Sequence, residues 1–414
     1  MLFTARTLWD SFWMGTPPLR LAPPSPELSS APPWRRDPYL LLFPLGALLA
    51  WAGVLPWLLF SLGATRLYLP MFEAIGYRAA FHPVAQVEGF LTCFAVGFLF
   101  TFVPRGTGTA PPAPWQMAVA IAAPIVSVVC AWFERWLPAQ ISWIALMAVL
   151  VGFVVRRARR GTRPIPASFV WVAAGLLMGA TGAVLTGVAA ALDDRGFWLH
   201  LVGRGLLLQG LFTGLVLGIG GLLLPAVTRG VDRASERRPP AWAYALHAVL
   251  AVAFAATFFL EHRASVQAAY ALRAAIVLSV VIGSLEALHP PTLPGLHRRI
   301  ARWSVWMLPA GYLWVAVAPE YRRAGLHLVF LGCFTALVLA VATQVALPHG
   351  ERPHPLRARP WQLVASSGLL VAALIARVLL EVDPPHFHLW LGTSAAAFLT
   401  ATVPWAALLL ARRA

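Results

Sequence analysis

The sequence contains a succession of long apolar stretches, and their length limits the folds available to the chain. Each runs for about 17–28 residues, the length at which a helix spans the hydrocarbon core of a bilayer. Charged residues make up only 12% of the chain, about half of the share that soluble domains carry. Barrel strands alternate over about ten residues, whereas these runs are continuous. We therefore predict an all-α, polytopic integral membrane protein with about twelve transmembrane helices.

The predicted spans extend from residue 38 to residue 411 and form a single transmembrane domain. They lie near residues 38–60, 83–103, 115–132, 136–155, 168–192, 199–227, 240–260, 264–288, 303–319, 324–347, 362–381 and 386–411. The two spans within 115–155 are the least clearly separated pair. Residues 1–37 are rich in Pro and Ser, which predicts a disordered tail.

The distribution of arginine gives the chain an orientation. All 32 basic residues are Arg, and the pI is about 11.3, which in a soluble protein would suggest nucleic acid. Here the arginines sit in short loops between apolar spans, so we expect the lipid bilayer, and not nucleic acid, as the partner. With both termini in the cytoplasm, 22 arginines fall on the cytoplasmic side, 7 on the outer side and 3 within spans. This bias alternates along the chain as the positive-inside rule requires, and it predicts cytoplasmic termini.

Ionisable residues inside the predicted spans are candidates for function, because charge is costly at membrane depth. We single out Glu88, Arg204, His247 and Arg273. A structural ion pair explains such residues equally well.

Several histidines recur at the start of even-numbered spans, on the predicted outer side. They are His82, His200, His327, His386 and His388. Imidazole is a common ligand of haem iron and copper. The simpler explanation for any single one is an interfacial histidine bonded to water or a lipid headgroup. The three cysteines are widely separated, so they predict neither a disulfide framework nor a zinc site.

Residues 325–350 read GLHLVFLGCFTALVLAVATQVALPHG. This stretch resembles the pattern LHALTVGAxGxMxLAVMTRxxLGHTG of the NnrS family, which are bacterial twelve-span membrane proteins. His327 matches the first histidine of that pattern and His349 the second. The agreement extends over the whole span, which makes it the most specific part of the resemblance.

Residues 81–104, FHPVAQVEGFLTCFAVGFLFTFVP, are similar to WHAHEMxFGFxxAxxAGFLLTAVP of the same family. His82 matches the first histidine, but Val84 replaces the second. Two shorter stretches, 220–229 and 306–314, also resemble family motifs, with Leu222 in place of an arginine and Pro309 in place of a histidine. The apolar and glycine framework is therefore kept, while about half of the polar positions are not.

The resemblance implies a protein of the bacterial inner membrane that binds haem and copper and is linked to nitric oxide stress or denitrification. It implies His82, His327 and His349 as haem ligands, with His82 and His327 also as metal ligands. The predicted topology places His349 on the opposite side from the other two, so we prefer the pair His82 and His327.

Two other functions remain open from the sequence. Proline-interrupted spans and a few intramembrane charges suit a membrane transporter, although the sequence shows no clear internal repeat. A cofactor-free scaffold or assembly protein would explain the replaced polar positions. No nucleophile–base pair or known catalytic motif is present in the sequence, so we do not predict an enzyme.

Overall fold

The structure is a computed structural model that describes residues 25–63, 78–160, 165–192, 196–231, 238–349 and 359–410. Within these ranges the chain forms twelve long helices and no strand. The helices are α1 Tyr39–Gly63, α2 Phe81–Thr107, α3 Pro114–Trp132, α4 Trp136–Ala158, α5 Ala167–Ala191, α6 Phe197–Arg229, α7 Ala241–Arg263, α8 Val266–Gly283, α9 Leu296–Val317, α10 Pro319–Leu347, α11 Trp361–Val382 and α12 Pro384–Leu409.

Eleven of these helices are long and apolar enough to cross a membrane. The exception is α9, which carries three arginines near its start but is 22 residues long, or about 33 Å. It packs between α8 and α10 like the other members of the bundle. The prediction of an all-α polytopic membrane protein is confirmed, including the separation of α3 from α4.

Residues 25–37 differ from the prediction of a disordered tail. They form two short helices, Pro26–Ser30 and Pro33–Arg36. The Arg35 Nε atom donates a hydrogen bond to the carbonyl of Pro112, and Asp37 forms a buried ion pair with Arg105 at 2.5 Å. These contacts fix the segment against the end of α2 and the loop between α2 and α3. The remainder of the predicted tail, residues 1–24, lies outside the described residues.

The packing of the helices repeats every four spans, although the sequence shows no such repeat. We call α1–α4, α5–α8 and α9–α12 the three units. In each unit the first helix packs on the second and third, the second on the third and fourth, and the third on the fourth. The last helix of each unit packs on the first helix of the next, and α12 closes the ring on α1. Each unit has an even number of spans, so all three units cross the bundle in the same direction.

The second helices of the units, α2, α6 and α10, line the centre of this ring. They contribute most of the wall of an apolar cavity of about 140 Å³. Each also contains a π-helical segment: Ala85–Leu91 in α2, Leu206–Gly210 in α6 and Leu328–Thr335 in α10. Such segments turn side chains away from their α-helical directions and are frequent at functional sites.

Glycines bring the first and second helices of a unit together. In α6 they recur every four residues, and this spacing predicts close packing against a second helix. A Cβ atom on Gly214 of α6 would lie 2.5 Å from the Gly175 Cα of α5. A Cβ on Gly311 of α9 would lie 2.5 Å from the carbonyl oxygen of Gly325 in α10. Backbone contact this close allows no larger side chain at these positions.

Candidate functional site

His82 lies in the first turn of α2, beside α1. Its Nδ1 atom is 2.8 Å from the carbonyl oxygen of Gly53. A carbonyl oxygen only accepts hydrogen bonds, so Nδ1 carries the proton and Nε2 of the neutral ring keeps its lone pair. The ring of Trp57 meets the imidazole edge to face at 5.9 Å and helps to fix its orientation. We call the end of the bundle where α2, α6 and α10 begin the His82 end.

His327 lies at the same end, where the π-helical segment of α10 begins. Its Nδ1 atom is 2.7 Å from the carbonyl oxygen of Arg323, so this ring also carries its proton on Nδ1. The Nε2 lone pair accepts a hydrogen bond from Arg377 Nε of α11 at 3.2 Å. Arg377 also forms an ion pair with Glu381 at 3.2 Å.

The ring packing brings the two histidines within electrostatic range of each other, although they are 245 positions apart in the chain. His82 and Arg377 both lie within electrostatic range of His327. Arg377 and Arg204 of α6 lie within range of His82. Two imidazoles with the same tautomer and two guanidinium groups therefore share the His82 end of the bundle, between α2 and α10.

His349 lies at the other end of α10. It follows His327 by 22 residues of continuous helix, which corresponds to about 33 Å. Its side chain lies outside the described part of the structure. The two ends of α10 cannot serve one metal ion, as the predicted topology also indicated.

Three further histidines of the His82 end, His200, His386 and His388, are exposed. His200 of α6 lies near Arg204, and the ring of His388 lies 5.5 Å from that of Phe60. His386 bonds to Asp383, whose pKa is held below its ordinary value by the indole N–H of Trp390 and by this imidazole. Throughout the described ranges, no three His, Cys, Asp or Glu side chains are grouped in a way that could hold a metal ion.

His247 forms hydrogen bonds that join neighbouring helices. The indole N–H of Trp171 donates to its Nδ1 at 3.1 Å, and its Nε2 lies 3.3 Å from the hydroxyl of Ser284. Both ring nitrogens are therefore engaged, and the residue ties α7 to α5 and to the end of α8. Among the ionisable residues that the sequence singled out, this one fits the simpler explanation.

Arg273 of α8 is completely buried and lies in a network of charge and polar groups. Its guanidinium group forms an ion pair with Glu261 of α7 at 2.7 Å and donates to Thr257 Oγ1 at 2.8 Å and to Gln209 Oε1 at 3.3 Å. Arg322, at the start of α10, forms a second ion pair with Glu261. One buried carboxylate thus joins two arginines, and Gln209 extends the network to the π-helical segment of α6.

Glu88 of α2 is also completely buried, but its partners are neutral. The hydroxyl of Ser127 in α3 donates to Oε2 at 2.5 Å, and Gln140 Nε2 of α4 donates to Oε1 at 2.8 Å. The three residues belong to the second, third and fourth helices of the first unit. The corresponding helices of the second unit are joined in the same way by Gln209, Glu261 and Arg273.

Sequence reasoning missed most of these partners. Glu261 looked like a loop residue because it lies near the end of a span, yet it is 5% exposed. Ser127 and Gln140 are uncharged and gave no signal above the apolar background. His297, which is buried and bonds to Gln344 at 2.7 Å, lies in a segment that reads as a basic loop.

Twelve helices in a closed ring, with polar side chains buried between them, define a multi-pass, all-α membrane protein. A family model described as NnrS protein matches residues 33–412, nearly the whole chain. The chain therefore belongs to the NnrS family, and the resemblance seen in the sequence is confirmed. No curated protein matches the sequence.

Proposed function

We propose that this NnrS-family protein binds haem between α2 and α10 through His82 and His327, and that it acts in the response to nitric oxide or in denitrification. The observation that supports this is that the two imidazole rings have the same tautomer. Each donates its Nδ1 proton to a backbone carbonyl and keeps the Nε2 lone pair. Histidines that ligate metals have the same arrangement, because the second hydrogen bond fixes both the tautomer and the orientation of the ring.

Haem fits the described residues better than copper does. Haem iron needs one or two axial ligands from the protein, and two imidazoles are close together at the His82 end. Stable protein copper sites of the blue-copper type use three strong ligands, and no group of three suitable side chains is present in the described ranges. Copper is expected from the family resemblance alone, and we assign it no role in this protein.

The charges around the two histidines suit an anionic cofactor. Haem carries two propionate groups, and Arg204 and Arg377 lie within electrostatic range of His82. Arg377 would have to leave the Nε2 atom of His327 for a metal to bind there, and its flexible side chain could then hold a propionate while Glu381 stays within reach.

In this proposal the protein residues orient and shield the cofactor. The carbonyls of Gly53 and Arg323 hold the two imidazoles in a fixed orientation. When bound, haem would supply an iron centre that takes diatomic gases such as nitric oxide as ligands and changes oxidation state. The surrounding dielectric would tune its potential.

The experiment is the visible spectrum of the purified protein after expression with ample haem supply. We expect a Soret band in the wild type and its loss in His82→Ala and in His327→Ala. His388→Ala is the matched control, since it removes an exposed imidazole at the same end and should leave the band unchanged. A wild type without a Soret band contradicts the proposal. An equal loss in all three variants contradicts the assignment of His82 and His327.

The same experiment separates the alternatives. A cofactor-free scaffold predicts no haem in the wild type and no effect of either histidine. For transport, the units of the ring are parallel and threefold, whereas the common transporter architectures with discontinuous helices have inverted halves. We also propose the bacterial inner membrane with both termini in the cytoplasm, on the strength of the arginine bias, and reporter fusions at the two termini test it.

A further inference from the structure

Glu88 is a buried carboxyl group that no cation contacts in the described part of the chain. Its side chain is 0% exposed, and its hydrogen bonds come from Ser127 and Gln140 alone. An ionised carboxylate in an apolar interior without a counter-ion is disfavoured by several kcal/mol. Both forms of the Glu88 carboxyl group therefore have some support from the surroundings. The charged form has two hydrogen-bond donors, and the neutral form needs no counter-ion.

The helices packed around Glu88 place no formal charge beside it. In α1 the one titratable side chain is that of Tyr39, at the far end of the helix. In α3 it is the thiol of Cys130, and α4 has only Arg156 and Arg157, in its last turn. On α2 itself the nearby titratable groups are His82 and Cys93, which flank the π-helical segment. A proton on Glu88 is thus the simplest way to neutralise its charge.

The partners of Glu88 can serve both forms of the carboxyl group. The hydroxyl of Ser127 can donate to a carboxylate or accept from a carboxylic acid. The amide of Gln140 offers a donor in the observed orientation and an acceptor after a half-turn of its terminal group. By contrast, the charged partners of Glu261 are Arg273 and Arg322, and a guanidinium group can only donate.

Two unpaired polar atoms lie beside this cluster on α4. Gln140 Oε1 and Trp143 Nε1 are both buried and have no hydrogen-bond partner among the described residues, and their side chains are 4% and 0% exposed. Residues three apart on a helix lie on the same face. One atom is an acceptor and the other a donor, which is the pair of groups that a water molecule satisfies.

We infer that Glu88, Ser127 and Gln140 form a proton-binding site within the membrane, at which the Glu88 carboxylate takes up a proton from water and releases it again. Protonation forms an O–H bond on one carboxyl oxygen. The hydroxyl of Ser127 or Gln140 Oε1 then accepts the new hydrogen bond. The inference does not depend on haem, because every group it uses lies in α2, α3 and α4.

The test is infrared difference spectroscopy of the full chain in vesicles of phosphatidylethanolamine and phosphatidylglycerol, recorded as the pH is changed. We expect a C=O stretching band of a protonated carboxyl group that changes with pH and shifts in D2O. Glu88→Gln should abolish the band, and Ser127→Ala should shift its frequency because one hydrogen bond is lost. Glu320→Gln, which alters an exposed carboxyl at the start of α10, should leave it unchanged.

Three results would overturn the inference. They are a wild type without such a band, a band that does not respond to pH, and a band that survives in Glu88→Gln. If Glu88→Gln fails to fold, the Ser127→Ala shift decides, since a band that belongs to another carboxyl group would not move. None of these results bears on the Soret band, so this inference and the proposed function can fail separately.

Discussion

Glu88 and Glu261 are two carboxyl groups buried in corresponding parts of neighbouring units, and their surroundings are opposite. Glu261 touches two arginines, and one of them, Arg273, is fully buried with it. Glu88 has a serine and a glutamine. The comparison teaches that burial at membrane depth does not by itself give a residue its role. The charge of the partner decides whether the carboxyl group is a fixed structural ion or a group that can exchange a proton.

The third unit fills the corresponding region with imidazole and guanidinium groups. His327 of α10 accepts from Arg377 of α11, which is held in turn by Glu381. One arrangement of helices therefore carries three kinds of polar chemistry. The proposed haem site joins the third unit to the first through His82, and Arg322 of α10 joins the third unit to the ion network of the second.

The largest expected effect is that of Glu261→Gln. The change leaves Arg273 buried without its carboxylate, and breaking a buried pair on one side costs about 3–5 kcal/mol. We expect a loss of that size in the free energy of unfolding, measured by chemical denaturation in mixed micelles. The double variant Glu261→Gln with Arg273→Met is the control and should recover most of the loss. If the double variant is as unstable as the single one, the pair does not act as a unit.

A smaller effect is expected from Thr257→Val. The substitution keeps the shape of the side chain but removes the acceptor of Arg273 Nε, 2.8 Å away. A buried charged donor without its partner costs about 2 kcal/mol, and the other bonds of Arg273 remain. The matched change in the first unit is Ser127→Ala, which should cost about 1 kcal/mol, because a neutral carboxyl group tolerates the loss better. Denaturation of both variants in the same micelles compares them. Equal costs would contradict the view that Glu88 tolerates the loss of a partner better than the charged group of Arg273 does.

The smallest effect is expected from Glu88→Gln. The amide replaces a carboxyl group among neutral partners and leaves no cation behind, so the free energy of unfolding should change by less than about 1 kcal/mol. The same denaturation experiment measures it against Glu261→Gln. A loss as large as that of Glu261→Gln would mean that Glu88 has a cationic partner, and the contrast between the two units would fail.

The helical fold could be predicted from the sequence, because the length of each apolar run and the positions of the arginines are local features of the chain. The run that predicts α3 ends at the last residue of the helix, and the run that predicts α4 ends three residues before Ala158. The spacing of Gly210, Gly214 and Gly218 indicates the close contact with α5. The threefold repeat was not readable, because apolar side chains of different identity can fill the same contacts.

The candidate site was readable only in part. The sequence pointed to His82 and His327 through a family pattern, but their proximity depends on the closure of the ring. The partners of Glu88 and Arg273 are neutral or lie near span ends, so hydropathy could not distinguish them from ordinary interfacial residues. The carbonyl acceptors of the two histidines are backbone atoms, which no sequence pattern reports.

The central claim is that His82 and His327 bind haem, and the haem-to-protein ratio tests it most directly. The ratio is measured on the wild type, His82→Ala and His327→Ala, each purified after haem-replete expression. We expect one haem per chain in the wild type and a large loss in both variants. A wild type free of haem, or variants that keep the full complement, would contradict the claim.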